Sequence, residues 1–341
     1  MPAQTPILGI DGYGRIDGGA LRFPSPIEPN LRRLAKLLQP LATNPARTVG
    51  LCLTEARPQV LAIFGLRFAV GAALGWPVFG GQPIRTIATA LVWELAVFFV
   101  YLFNGISDVD EDRVNGSTRP IARGAVDPAL ALVIAIAAAL TSLVGALIIG
   151  GPTAWLVPVL IGLGYLYSGR PFYLKRHSAS TAAIGMAGGL LSYAAGLTSP
   201  TATTTLKATA TLATFAIGAS LWMGLTGTLA KDLPDIAGDL AAGRSSVAAQ
   251  LGERKARAVL SRTALSVAAV FALVSLVASH SLRAPAAAML VGAVVLAAIA
   301  HSRLSHGSRH HQRRPYRAFM LTQYATHLCV LVPVILHVPA I

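Results

Sequence analysis

Nine stretches of this chain are apolar and long enough to cross a lipid bilayer, at about 58–80, 86–104, 128–150, 152–168, 179–198, 206–229, 258–280, 284–301 and 318–338. A lipid interior offers no hydrogen bonds to bare backbone, so such segments must be helices that satisfy their own N–H and C=O groups. The pattern predicts an all-α, polytopic membrane protein with nine transmembrane helices. Composition agrees, since 54% of the 341 residues are hydrophobic and only 12% are charged.

A net charge of +14 invites a nucleic-acid reading, but the placement of the charge argues against one. Of the 28 Lys and Arg, 24 fall before the first run or at the connections after the second, fourth, sixth and eighth, counting Arg262 at the start of the seventh run with the connection before it. Three fall at the other connections, counting Lys207 at the start of the sixth run, and Arg67 lies well inside a run. By the positive-inside rule, the N-terminus and the even-numbered connections face the cytoplasm, as expected of an integral protein of the plasma (inner) membrane. Basic residues in those connections, Arg309 among them, are read as topological signals. Membrane lipid is the expected partner, and no nucleic acid is.

The first ~25 residues, rich in Gly and Pro, read as disordered, and no signal peptide is expected. Residues 1–56 are expected to form a cytoplasmic extension with a short amphipathic helix that sets Leu31, Leu34, Leu37 and Leu38 in the interface. The transmembrane domain is expected to occupy 57–341. Cys52 and Cys329 are too few for a disulfide framework or a zinc site and are read as apolar fillers.

Acidic residues are scarce, and half of the 14 lie in two short stretches that each close an apolar run. The first is Asn104-Gly-Ile-Ser-Asp108-Val-Asp110-Glu111-Asp112, and the second is Asp232-Leu-Pro-Asp235-Ile-Ala-Gly-Asp239. On a helix, acids at i and i+4 share a face, so Asp108 and Asp112 converge, as do Asp235 and Asp239. Crowded carboxylates repel unless a cation holds them. Hard oxygen donors in ones and twos suit Mg²⁺ when phosphate oxygens and waters complete its octahedron. Asp110 and Glu111 point off the shared face and read as solvated. Each cluster follows an even-numbered run and is succeeded by a basic, Gly-containing loop. That is the pattern of a four-helix unit used twice, with a ninth helix added, and the two clusters meeting over a central cavity.

The residues also carry a family resemblance. Asn104-x-x-x-Asp108-x-x-x-Asp112 followed by Arg119-Pro120-Ile121-Ala-Arg-Gly124 resembles the first signature of the UbiA superfamily of intramembrane prenyltransferases. Lys231-Asp232-Leu-Pro-Asp235-Ile-Ala-Gly238-Asp239 resembles the second. Tyr167-Ser168-Gly-Arg-Pro171-Phe-Tyr-Leu174-Lys175 is similar to a Tyr-Ser-x-x-Pro…Leu-Lys segment of that family, and Arg57-Pro58 to an Arg-Pro opening the first helix. Two departures stand out. Gly105 occupies a position where many members carry Asp, and Pro171 stands where a Tyr-x-x-x-Lys spacing would place the tyrosine, leaving that role open between Tyr167 and Tyr173.

The resemblance implies nine helices around a cavity and Mg²⁺-dependent transfer of a prenyl group from a prenyl diphosphate donor to a small hydrophobic or aromatic acceptor. It assigns Asn104, Asp108 and Asp112 to one Mg²⁺ and Asp235 and Asp239 to another, with Asp232 in support. Lys175, Arg119, Lys231 and Tyr167 are candidates to bind the diphosphate, with Arg123, Arg170 and Arg57 behind them. Members of the superfamily also act as terpene cyclases, and the acid clusters do not separate the two activities. A transporter with midplane carboxylates is the third reading, disfavoured because these acids lie at the ends of runs.

Arg67 and Glu94 are formally charged residues well inside a run, where charge is costly and seeks a cavity or a partner. A structural Arg67–Glu94 pair is expected, with Glu94 lining the cavity as the alternative. Trp93, Phe98, Phe99, Tyr101, Phe103, Tyr193 and Trp222 are candidates for a wall that steadies a cation through ring faces.

Overall fold

A computed structural model of the chain describes residues 28–75, 82–200, 205–241, 243 and 245–336. The Gly- and Pro-rich first ~25 residues, the end of the first apolar run with Pro77, and Arg244 of the second basic loop lie outside the described residues. The described chain is helical, with α1 Glu28–Thr43, α2 Pro45–Glu55, α3 Pro58–Gly75, α4 Pro83–Ser107, α5 Val109–Val114, α6 Pro128–Ile149, α7 Thr153–Ser168 and α8 Ser178–Thr198. Then follow α9 Leu206–Leu221, α10 Thr228–Asp232, α11 Ile236–Ala241, α12 Val247–Ala278, α13 Arg283–His301, α14 Arg309–Gln312 and α15 Arg314–Ile335.

The helix boundaries follow from local chemistry. Asn44, Asp127, Thr205 and Ser246 each cap an N-terminus by accepting a backbone N–H, and Pro sits in the first turn of α2, α4, α6 and α15. Seven helices among the described residues are long and apolar enough to cross a bilayer. There are eight if Pro45–Glu55 and Pro58–Leu74, bent by 77°, form one broken span. The expected count of nine is therefore not reached on length. α7 has only 16 residues, a rise of about 24 Å against a hydrocarbon core of roughly 30 Å.

The pairing of helices has the form of a doubled unit. α3 and α8, which open the two halves, make the most extensive pairing in the bundle, and α4 packs on α6 and α7 as α9 packs on α12. α15 closes the bundle between α13 and α3. Two glycines let α3 and α8 touch backbone to backbone. A Cβ on Gly196 would stand 2.0 Å from the Phe68 carbonyl oxygen, and one on Gly71 would stand 2.2 Å from that of Tyr193. Between α9 and α10, Trp222–Gly227 forms a π-helical turn directly ahead of the second acid cluster, the kind of defect that re-aims side chains at a site.

The expected Arg67–Glu94 pair does not form. Arg67, fully buried, donates from Nη2 to Gln323 Oε1 at 2.8 Å and to Met223 Sδ at 2.7 Å, and lies 4.9 Å from the centre of the Phe64 ring. Glu94 turns its carboxyl toward Gly65 and finds no hydrogen-bond partner for Oε1. Helical phase explains the miss: Glu94 meets α3 at Gly65, and Arg67, two residues on, lies about 200° around that helix.

Candidate active site

Both acid clusters open on one cavity of about 430 Å³. α4 and α5 bring Asn104, Asp108, Glu111 and Asp112 to it, while α10, α11 and the turn between them bring Lys231, Asp232, Asp235 and Asp239. Farther in, Ile63, Phe64, Val97, Leu160, Phe319 and Met320 make apolar walls. One end of the cavity is thus charged and the other greasy.

In the first cluster, Asp108 ends α4 and accepts hydrogen bonds from Asn104 and Lys175, and Lys175 Nζ also donates to Ser107 Oγ at 2.5 Å. Burial alone would raise the pKa of Asp108, but the positive charges of Lys175, Arg57 and Arg119 outweigh it and hold the group at about 2. Asp108 therefore keeps its charge, and its ion pairs, as pH falls until it nears that value. Arg119 Nη1 pairs with Asp112 at 2.6 Å and stands 3.8 Å from Asp108. Its Nη2 pairs with Glu55 Oε1 at 2.8 Å, and Glu55 Oε2 accepts from the backbone N–H of Ile121.

In the second cluster, Lys231 pairs with Asp232 at 3.0 Å. Arg309 grips Asp235 Oδ1 with Nε at 3.0 Å and Nη2 at 2.6 Å, while its Nη1 donates to the Asn115 carbonyl at 2.7 Å. The two acid loops touch at Gly238, where a Cβ would lie 2.1 Å from Asn115 Oδ1. Any larger residue there would push the Asn115 side chain aside.

Most expected site residues come together. Asn104, Asp108, Asp112, Arg119, Tyr167, Lys231, Asp232, Asp235 and Asp239 all line the cavity. Lys175 does not: 2% exposed, it lies behind Asp108. Arg123 and Arg170 are exposed and away from the cavity. Tyr173 donates its hydroxyl to Glu111 Oε1 at 2.6 Å, and Glu111, expected to be solvated, lines the cavity. Asp110 is solvated as expected, its side chain 92% exposed. Of the candidate aromatic wall only Tyr101 reaches the cavity, joined by Phe64 and Phe319, which were not expected there. Trp93, Tyr193 and Trp222 are buried in the core.

Four participants were not foreseen: Glu55, Asn115, Arg309 and Arg313. The reading of Arg309 as topological background is corrected by its grip on Asp235. Arg57 and Arg313 line the cavity and make no side-chain hydrogen bond or ion pair with another described residue. Arg57 also holds a left-handed backbone, φ 61°, a strained state for a non-glycine residue that recurs where function fixes it.

Among the described residues no three Asp, Glu, His or Cys side chains converge closely enough to hold a metal ion unaided. The donor set nevertheless fits Mg²⁺, which binds through one or two carboxylates and takes its remaining ligands from phosphates and water.

An all-helical bundle of apolar helices around a cavity charged at one end and apolar at the other defines an integral membrane protein with an internal site. The chain belongs to the UbiA prenyltransferase family, whose model matches residues 60–322, and it is a prenyltransferase. It is 33% identical over 212 residues to a digeranylgeranylglyceryl phosphate synthase of Halobacterium salinarum, covering 60% of this chain and 70% of that one. A UbiA homologue of Archaeoglobus fulgidus bound to DMAPP and Mg²⁺ shares the fold, with a TM-score of 0.59 at 20% identity, covering 82% of this chain and 99% of the other. A UbiA homologue from Aeropyrum pernix shares it at a TM-score of 0.58 and 20% identity, covering 79% and 96%.

Proposed function

We propose that the chain transfers a prenyl group from a prenyl diphosphate to a small acceptor, with Mg²⁺ held by Asn104, Asp108 and Asp112 on one side and by Asp235 and Asp239 on the other. The observation that carries this reading is the single cavity that joins both acid clusters and the unpaired Arg57 and Arg313 to apolar walls. Bound there, Mg²⁺ supplies positive charge to the diphosphate as it departs.

The chain's own groups do the rest. As the allylic C–O bond breaks, its electron pair leaves with the diphosphate, and Arg57 and Lys231 face the oxygens that gain charge. Lys175 and Arg119 fix the direction of Asp108 and Asp112, and Asp232 steadies Lys231. Tyr167 donates a hydrogen bond to the diphosphate. Tyr101, Phe64 and Phe319 line the space around the carbon that becomes cationic and keep water from it. The acceptor's nucleophilic atom then bonds to that carbon and gives up a proton.

For the acceptor, the family resemblance favours a small aromatic ring. The H. salinarum relative's name contains a glyceryl phosphate, so an alcohol of that kind is the competing class. The transmembrane unit is taken as 57–341, with residues 1–56 an extension before it. In this reading the basic connections and both acid clusters face the cytoplasm of the plasma (inner) membrane, an orientation that the charge distribution supports. Mass spectrometry of products from purified protein, Mg²⁺ and prenyl diphosphates of graded length tests this. The reading expects prenylated product only when an acceptor is supplied, from an aromatic set or a glyceryl phosphate set. A cyclic hydrocarbon formed with no acceptor would instead assign terpene cyclisation.

A further inference from the structure

The connection between α13 and α15 carries two arginines one helical turn apart, and their surroundings differ sharply. Arg313 lines the cavity, and its side chain makes no hydrogen bond or ion pair with another described residue. Arg309 is spent on Asp235, with two N–H groups on one carboxylate oxygen, and its third bond crosses to the Asn115 carbonyl of the opposite acid loop. Both partners of the Arg309–Asp235 pair are about a quarter exposed, at 26% and 24%, so the contact sits at the wet mouth. Asp235 is also one of the carboxylates through which the second cluster would hold its Mg²⁺. A guanidinium fork fits a phosphate as well as it fits a carboxylate, and a pair at this exposure gains little from staying closed.

We propose that Arg313 and Arg309 form a diphosphate-binding pair, in which Arg309 exchanges Asp235 for the diphosphate and so frees that carboxylate for the metal. This inference rests on the cavity being the diphosphate site, and it adds the last connection to the two acid loops as a third side of that site. Before substrate arrives, Arg309 satisfies an acid that would otherwise repel its neighbours and keeps the two acid loops together. With the anion bound, the cation follows the stronger charge, and Arg313, already unpaired, meets the same ligand.

The test is equilibrium binding by calorimetry on the full chain in detergent micelles, first with Mn²⁺ alone as a stand-in for Mg²⁺, then with pyrophosphate at saturating Mg²⁺. Arg313→Ala should weaken pyrophosphate binding by about 10-fold or more, the scale of one charged hydrogen-bonding group, and leave Mn²⁺ binding unchanged. Arg309→Ala should weaken pyrophosphate similarly but strengthen Mn²⁺ binding, because Asp235 is released. A residue that merely packs the loop would not move the two affinities in opposite directions. Lys255→Ala, exposed and remote from the cavity, is the control. Should an alanine variant fail to fold, Arg309→Lys and Arg313→Lys keep the charge but lose the fork, and several-fold weaker pyrophosphate binding is expected of each. Wild-type protein that binds no pyrophosphate would overturn the site reading and this inference with it. Wild-type binding with undiminished affinity in the arginine variants would overturn only the arginine pair.

Discussion

Asp108 stays ionised at the edge of the bilayer because Lys175, Arg57 and Arg119 together outweigh the burial that would protonate it. Lys175 is the closest of these, wholly enclosed, with Ser107 and Asp108 as its hydrogen-bond acceptors. Its removal leaves a buried carboxylate short of one cation and free to turn. Lys175→Ala should lower kcat/KM by on the order of 10²-fold, and Lys175→Arg should recover part of the loss. Since Lys175 acts through Asp108, the same variant should raise the Mg²⁺ concentration needed for half-maximal rate; an unchanged Mg²⁺ requirement would separate Lys175 from the metal site. Gly238 makes a second prediction at this scale. A methyl there would meet Asn115 at 2.1 Å, so Gly238→Ala should cut turnover sharply, and adding Asn115→Ala should restore part of it. No restoration in the double variant would mean that the loops do not meet where the structure has them.

Among the elements, α3 and α8 carry the strictest demand. Gly71 and Gly196 bring backbone against backbone, and no rotamer change can make room for a Cβ 2.0 Å from a carbonyl oxygen. Gly196→Ala should therefore destabilise the bundle by roughly 1–3 kcal/mol, read as a lower midpoint of thermal unfolding in detergent, whereas Gly162→Ala, with nothing within 4 Å of the new methyl, should leave it unchanged. The membrane helices themselves were legible in the chain, because apolar runs are local signals. So were Asn104, Asp108, Asp112, Asp235 and Asp239, whose i, i+4 spacing fixes a common face before any tertiary contact exists. What the chain hid are contacts across long separations. Arg309 reaches Asp235 from 74 residues away and Asn115 from 194, and Glu55 reaches Ile121 across 66. Arg67 was paired with the wrong residue for the same reason: its partner Gln323 lies 256 positions on, on the last helix. Composition marks such a charge as costly in lipid without saying which helix supplies the oxygen.

For the whole molecule, the alternation of basic connections and the meeting of the two acid clusters make one claim, that both halves present their charged ends to the same side. Cysteines introduced at Ser117 and Ser245 should then be labelled from the cytoplasm and one at Gly151 from the far side; labelling of Ser117 and Gly151 from one side would undo the topology. The proposed chemistry asks more of the two halves than a shared side, since each cluster supplies the carboxylates for one Mg²⁺ and the diphosphate lies between them. Turnover by purified Asp108→Ala and Asp235→Ala, each shown to be folded, measures that most directly. Activity should be abolished in both variants, lost in the wild type with EDTA and restored by Mg²⁺. A folded Asp235→Ala protein that turns over prenyl diphosphate at a near wild-type rate would contradict a site built from both halves.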